Sequence, residues 1–256
     1  MKTVSPLWMI LFLVALVYCY LSGYIGVIYP SVTLVGVLFF TLAVWGSQPL
    51  LRLLALPLGS VLLYMVLIHA IPGFFNFNYA KEQVISPGAA PYNLWINFDK
   101  PLAALAIVAV TGIEMKPVIR LKPILFLTFI ALLATVGFAF AVGLVNLHPK
   151  WPSWGWIWVA KMFFITVFSE QVFFRIFLQD GLKKVGVPEF TTPLIASICF
   201  AAVHLYAGVP YAIASLIAGL AHAYSYHWTK NLLVPMSIHM AVNTVHITLF
   251  TYPILK

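Results

Sequence analysis

Charge and cysteine are scarce in this sequence. Its 256 residues include 14 Lys and Arg and six Asp and Glu, so that 8% are charged, whereas a soluble domain has about 25%. The only two cysteines, Cys19 and Cys199, lie in apolar runs without CxxC spacing, which argues against a disulfide framework and a thiolate metal site. We therefore expect free, buried thiols.

Long polar segments are missing as well. The chain is 63% hydrophobic with a mean hydropathy of +1.02, and no polar stretch is long enough to build a separate soluble domain. The net charge of +8 arises from Lys and Arg at the ends of apolar runs, as membrane topology requires, rather than from a basic stripe. The composition predicts a single membrane domain over residues 1–256, with the lipid bilayer and not nucleic acid as its partner.

Pro, Gly and charged clusters divide the chain into apolar segments near 6–28, 31–46, 50–71, 101–114, 123–147, 153–178, 190–207, 210–228 and 232–250. They predict an all-α, polytopic transmembrane helical bundle. Nine spans with the N-terminus inside place eight Lys or Arg in the cytoplasm and four outside, in keeping with the positive-inside rule. Two segments, 31–46 and 101–114, are short for a bilayer that needs about 20 residues, so eight spans remain an alternative.

The predicted bundle has two parts. Residues 1–150 form N-terminal spans and an interfacial segment, and residues 153–250 form a core of four C-terminal helices. The segment 72–100 mixes aromatic residues with Asn and Pro. It is predicted to lie at the membrane interface or dip into the membrane, and an ordinary exposed loop is the alternative.

Ionisable residues inside the spans are concentrated in this C-terminal core. Because burying them in hydrocarbon is expensive, such residues usually mark functional sites or pairs between helices. The polar and ionisable residues within these C-terminal segments, whose burial in hydrocarbon is unfavourable, are Lys161, Glu170, Gln171, Arg175, His204, His222, His227, His239, Asn243 and His246. We interpret Lys161 as close to a membrane boundary, and His222 and His227 as packing residues because neither has a partner at an informative spacing.

Helical spacing groups several of these side chains. His239 and Asn243 are four residues apart and share one helix face, with His246 close to the same stripe, and Phe200 and His204 have the same spacing. Glu170 and Arg175 are five apart, which is about 140° around an α-helix, so they are not predicted to form a close local pair. Glu170 can then face another helix.

This set of side chains can hydrolyse an amide without a nucleophilic side chain. Glu170 could deprotonate a water with His204 sharing the proton, and His239 and Asn243 could donate to the oxyanion. Arg175 would compensate buried negative charge. Two other interpretations stay open, namely a zinc site of Glu170, His204 and His239, and hydrogen bonds that merely hold the helices together.

Signatures of other membrane-protease chemistries are absent from the sequence. It contains no HExxH motif for zinc and no GxSG motif for a serine nucleophile. The only aspartates, Asp99 and Asp180, fall at segment ends rather than as an intramembrane pair.

Three ordered motifs carry a family resemblance. Glu170-Gln171-x-x-x-Arg175, Phe200-x-x-x-His204 and His239-x-x-x-Asn243 resemble the CPBP family, also called the Abi or CAAX-protease family, of glutamic intramembrane endopeptidases. The resemblance covers about 153–250. It implies a helical bundle whose last four helices enclose a polar cavity, a metal-free site without a cofactor, and the catalytic roles given above.

The family motif has two adjacent glutamates, and here the second is Gln171. If the first carboxylate activates water, activity is retained, because Gln171 keeps its hydrogen-bonding capacity. The expected function is hydrolysis of a membrane-associated protein or peptide, in a bacterial or archaeal cell membrane. The alternatives are a catalytically silent binding or immunity module and a proton-coupled transporter, although no internal repeat supports transport.

Overall fold

The computed structural model describes residues 6–26, 28–45, 47–73, 75–113, 115–118 and 121–255, which are mostly helical. Each apolar segment forms one helix: α1 (Pro6–Leu21), α2 (Ile28–Trp45), α3 (Pro49–Leu67), α4 (Asp99–Thr111), α5 (Leu121–Ala141), α6 (Gly155–Lys184), α7 (Thr192–Ala202), α8 (Val209–Thr229) and α9 (Leu233–Leu249). The helical architecture is thus confirmed. The number of spans and their orientation stay predictions, and Lys2, Arg120 and Lys256, which enter the charge count, lie outside the described residues.

Three of the described helices, α3, α5 and α6, are long and apolar enough to cross a membrane. The surface of α5 is also apolar, because Leu125, Phe126, Phe129 and Leu133 are all exposed. A contiguous apolar surface of this kind needs a hydrocarbon environment. The helices therefore indicate an integral membrane protein.

The segment 72–100 adds one small sheet to the predicted helical fold. Strands β1 (Phe77–Gln83) and β2 (Tyr92–Ile96) pair in it. Asn93 Oδ1 accepts hydrogen bonds from Asn78 Nδ2 at 3.2 Å and from the backbone N–H of Glu82 at 2.9 Å. Strand pairing satisfies backbone groups that an irregular loop near the membrane would leave without partners.

The chain divides into two compact units, and one of the boundaries along the chain falls inside α6, between Phe163 and Phe164. The first comprises Met1–Phe77, Ile96–Ile113 and Phe164–Thr192. Its most buried helix is α4, in which Ala103, Ile107 and Val108 have no exposed surface. With 13 residues, α4 is about 20 Å long, shorter than the roughly 30 Å hydrocarbon core and typical of a buried core helix.

The second unit comprises Asn78–Trp95, Glu114–Phe163 and Pro193–Lys256. Ala131 of α5, Ala221 of α8 and Ile238 of α9 pack together in its core. The described cysteines form no disulfide; Cys19 of the first unit is buried as predicted, and Cys199 of the second is half-buried.

A short C-terminal segment, residues 250–255, is held by backbone hydrogen bonds on two sides. Thr251 N–H donates to the Asn146 carbonyl at 2.8 Å, and Leu255 N–H donates to the Leu144 carbonyl at 3.0 Å. On the other side, Ala90 N–H donates to the Ile254 carbonyl at 3.0 Å. We call residues 250–255 the C-terminal strap.

Gly155→Ala is expected to lower the Tm of the purified protein in detergent. An added Cβ would clash with the indole ring of Trp151, so the ring would have to move. Gly137→Ala in α5 is the matched control, because its added Cβ would meet no atom of the described residues within 4 Å apart from its chain neighbours and the nearby backbone of its own helix. Equal Tm values for the two variants would contradict the packing at Gly155.

Candidate active site

Glu170 lies in an unusual part of α6. The α-helical residues Phe168–Gln171 are flanked by two π-helical stretches, Met162–Val167 and Val172–Gln179. Glu170 is half-buried, between the buried residues Ser169 and Gln171. Because π-helical turns are rare and concentrate at functional sites, this backbone marks the same region as the sequence motif.

Arg175 is completely buried and is held by residues about one turn before and one turn after it on the same helix. Its Nε donates to Gln171 Oε1 at 3.1 Å, and its Nη1 donates to Gln179 Oε1 at 3.2 Å. Both glutamines are buried too. Gln171 therefore has a defined structural partner, and the oxygen that accepts this bond would be present in a glutamate as well.

His204 lies just beyond the end of α7, and the backbone fixes its tautomer. Its Nδ1 is 2.7 Å from the carbonyl oxygen of Phe200. Because a carbonyl oxygen only accepts, Nδ1 must carry the proton, and in the neutral ring Nε2 carries the lone pair. The i, i+4 spacing of Phe200 and His204 thus produces a histidine that can accept a proton at Nε2.

Phe200 also connects the histidines of three elements. Its ring centroid lies 4.7 Å from that of His204, 5.8 Å from that of His239 and 5.9 Å from that of His222. The His239 and His222 planes stand nearly perpendicular to the Phe200 ring. Phe200 is itself buried, which fits the supporting role predicted for it.

Sequence reasoning missed the position of His222. Its ring stacks on that of His239, with centroids 4.6 Å apart and an interplanar angle of 23°. His222 has no exposed surface. It belongs to α8 and His239 to α9, so no spacing within one helix could have revealed the pair.

The other four predicted site residues line one cavity of the second unit. Phe200, His204, His239 and Asn243 line it, so the structure brings together four of the seven predicted residues. The other residues that line it are Thr135, Val136, Ala139, Leu144, Val145, Tyr211, Ala214, Ser215, Ala218, Val242, His246 and Ile254. No charged residue is among these described residues. Glu170, Gln171 and Arg175 belong to the first unit.

His246, which lies close to the stripe of His239 and Asn243, also lines the cavity. Its Nε2 donates to the Thr251 carbonyl at 3.2 Å, and its ring packs against Tyr252 of the C-terminal strap, with centroids 4.9 Å apart. Burial raises the pKa of Tyr252 and raises that of its neighbour Tyr92 to about 12. Both phenols are therefore neutral at physiological pH.

Lys150 carries a cationic group near the C-terminal end of α9 in the second unit. Its Nζ donates to the carbonyl oxygen of Phe250, at the end of α9, and burial lowers the pKa of the ammonium group. A cation at a helix C-terminus is electrostatically favourable.

Among the described residues, no three His, Cys, Asp or Glu side chains form a cluster that could hold a metal ion.

Residues 151–245 match the family described as Type II CAAX prenyl endopeptidase Rce1-like. The match covers less than half of the chain but includes all seven predicted site residues. It confirms the resemblance to the CPBP family, and the matched family is a family of proteases. No curated protein and no solved structure is similar enough to the chain to give a match.

Gln171→Glu is expected to raise the Tm in detergent, because a neutral acceptor of Arg175 becomes an anionic one. Charge-assisted hydrogen bonds contribute roughly 1 kcal/mol more than neutral ones. Gln179→Glu is the matched control, since it places the same new charge on the other side of the guanidinium. A fall in Tm for Gln171→Glu alone would contradict the assigned role of Gln171.

Proposed function

We propose that this chain is an intramembrane endopeptidase that hydrolyses a peptide bond of a membrane-associated protein or peptide. The observation that carries the proposal is the cavity that His204, His239 and Asn243 line together. The match of residues 151–245 to a protease family supports it independently.

Glu170 and His204 activate the water in this proposal. The Glu170 carboxylate takes a proton from water, and His204, with its lone pair at Nε2, shares that proton and passes it to the leaving amine. Positioned acid and base groups of this kind contribute roughly 100- to 10,000-fold to rate. The proposal requires both side chains to reach the same water molecule.

His239 and Asn243 stabilise the oxyanion of the tetrahedral intermediate. They are four residues apart on α9 and line the same cavity, so an imidazole N–H and an amide N–H can be directed at one oxygen. The described lining carries no charged side chain, and in such a low-dielectric site hydrogen bonds are stronger than in water. Removing one donor of an oxyanion hole typically costs about 3 to 4 kcal/mol in the transition state.

The remaining site residues position these groups. Phe200 orients His204 through its carbonyl oxygen and contacts His239 with its ring, while Gln171 and Arg175 hold the helix that carries Glu170. We assign no cofactor and no metal. We place the enzyme in the lipid bilayer of a bacterial or archaeal cell membrane, since the CPBP family that its motifs resemble includes many bacterial proteases.

Glu170→Gln and His204→Ala are each expected to reduce cleavage at least about 100-fold, because each removes a proton-transfer group. Cleavage of a substrate captured with the Glu170→Gln variant is measured in membranes, with Tm as the test of folding. Glu189→Gln is the control, since this carboxylate is exposed and paired with Lys183.

Retained cleavage by folded Glu170→Gln would reject the mechanism. Wild-type protein that captures the same substrate without cleaving it would instead identify a silent binding module. Cleavage that a chelator abolishes and added zinc restores would favour the alternative zinc site of Glu170, His204 and His239.

Cysteines introduced by Glu170→Cys and His204→Cys should be joined by a short bifunctional thiol reagent, because the proposal requires the two side chains to approach one water. Cys19 and Cys199 are first replaced by Ala so that no other thiol reacts. Mass spectrometry of the cross-linked peptides is the measurement, and the single-cysteine variants are the controls. No cross-link in the folded double variant would contradict a shared water.

A further inference from the structure

A second cluster of ionisable and polar side chains lies in the first unit. It consists of His69, Asn76, Asn97 and Asp99, and we call it the His69 cluster. His69 follows the end of α3 by two residues, and Asp99 begins α4. No member of the cluster lines the cavity or lies in the region 151–245 that matches the protease family. The roles assigned above therefore do not include these residues.

Asp99 is the buried charge of this cluster. It has no exposed surface, and burying a carboxylate is very unfavourable unless the group is paired and hydrogen-bonded. His69 Nδ1 donates to Asp99 Oδ2. The backbone N–H of Lys100 donates to Asp99 Oδ1 at 2.8 Å. Both carboxylate oxygens thus have donors, and His69 supplies one of them.

His69 has a partner on each nitrogen of its ring. While Nδ1 donates to Asp99, Nε2 accepts from Asn97 Nδ2 at 3.1 Å. The His69 backbone has a φ of 63°, which is uncommon for a residue other than glycine. Strained conformations of this kind persist only where the surroundings impose them, and they are frequent at functional positions. The cluster therefore holds His69 in one orientation despite this strain.

Three connections of the first unit meet at this cluster. Asn76 Oδ1 accepts from the backbone N–H of Phe98 at 3.3 Å. The Phe98 ring stacks on that of Tyr24, with centroids 4.3 Å apart, and Gly26 N–H donates to the Gly73 carbonyl at 2.6 Å. The chain that follows α1, the chain that follows α3 and the chain that precedes α4 are thus joined at one end of the unit.

Helix α4 connects this end of the unit to the part of α6 that carries Glu170. It packs against Phe168–Gln171 and against the π-helical stretch Val172–Gln179. Apart from Asp99, its buried residues are all apolar, and half of them are alanine. Hydrophobic packing is non-directional, so it constrains the position of such a helix along its axis only weakly. The hydrogen bonds of Asp99 are directional and fix that position at one end.

We propose that the His69–Asp99 pair positions the carboxylate of Glu170, because the pair fixes the N-terminal end of α4 and α4 supports the turn of α6 that carries Glu170. This inference rests on the proposed function and adds two positioning residues to it. They act through α4 and not on the substrate. A displacement of about 1 Å in a catalytic group can reduce a rate by roughly 100-fold, so a contact at the end of α4 is sufficient to affect catalysis.

Three variants of the full chain in detergent test the proposal. His69→Ala removes the ring that donates to Asp99. His69→Asn keeps an N–H donor at the position of Nδ1, and asparagine tolerates the left-handed backbone. Lys100→Gln is the matched control, because it removes a charge from the neighbouring residue and keeps the backbone N–H that donates to Asp99.

The first measurement requires no substrate. It is the labelling by N-ethylmaleimide of a cysteine at position 170, introduced by Glu170→Cys together with Cys19→Ala. His69→Ala should raise its labelling rate at least about three-fold, because a less constrained α4 lets this half-buried position open locally. His69→Asn and Lys100→Gln should leave the rate within about two-fold.

Cys199 is the internal control for this labelling, because it lies in the second unit and is half-buried. Mass spectrometry follows both thiols in one sample. The labelling rate of Cys199 should be the same in all variants. An increase at both thiols would reject the proposal, because it would show a general loss of structure and not a local effect on α6.

The second measurement is the cleavage of one internally quenched peptide. It is chosen from a pool of such peptides, with and without an S-farnesyl cysteine, as one that wild type cleaves and Glu170→Gln does not. His69→Ala should lower kcat at least about ten-fold with KM within about two-fold, since the residues that line the cavity are unchanged. His69→Asn should restore most of kcat.

Two kinetic results and one labelling result would overturn the inference. They are a fall in kcat that His69→Asn does not restore, an effect of His69→Ala on KM alone, and equal labelling at position 170 in all variants. A pool in which wild type and Glu170→Gln cleave the same peptides at equal rates would instead reject the proposed function. The labelling then still decides whether the His69–Asp99 pair positions residue 170.

Discussion

The buried guanidinium of Arg175 is the constraint on which the arrangement around Glu170 depends. Taking such a charge out of water costs several kcal/mol unless hydrogen bonds and charges compensate it. Gln171 and Gln179, four residues before and after it, supply two acceptors from the same helix. Position 171 must therefore carry an acceptor, a condition that both glutamine and glutamate meet. Glu170, the residue before Gln171 and about 100° from it around the helix, is not part of that bond.

The second unit has a different task, which is to hold imidazole rings in defined orientations. The Phe200 carbonyl selects the tautomer of His204, while the Phe200 ring packs edge-on against His239. His222 covers a face of the His239 ring. Stacking uses the faces of the rings and leaves hydrogen bonding to their edges, where the nitrogens lie. His239 can thus be restrained in rotation without losing its capacity to donate.

Much of this arrangement could be predicted from the sequence, because it follows from hydrophobic runs and helical spacing. The apolar segments became helices, and the four-residue spacings of Phe200 with His204 and of His239 with Asn243 brought those side chains to one cavity. The π-helical stretches around Glu170 were not predictable, since a one-residue shift in backbone hydrogen bonding has no signature in composition. The contact of His222 with His239 depends on how two helices pack. The sheet in segment 72–100 was missed because its aromatic and Asn residues are equally typical of an interfacial loop.

The C-terminal strap forms part of the cavity wall in a way that differs from the helices. Ile254 lines the cavity, and its own backbone is held by hydrogen bonds of the strap to Leu144, Asn146 and Ala90, in addition to the packing of Tyr252 against His246. A wall fixed by its main chain tolerates changes of side chain. Residues 144 and 254 can therefore vary in size and reshape this end of the cavity while the helices with the histidines stay in place. Divergence of specificity among related chains would be easiest at these positions, because a change there does not require the rest of the fold to adapt.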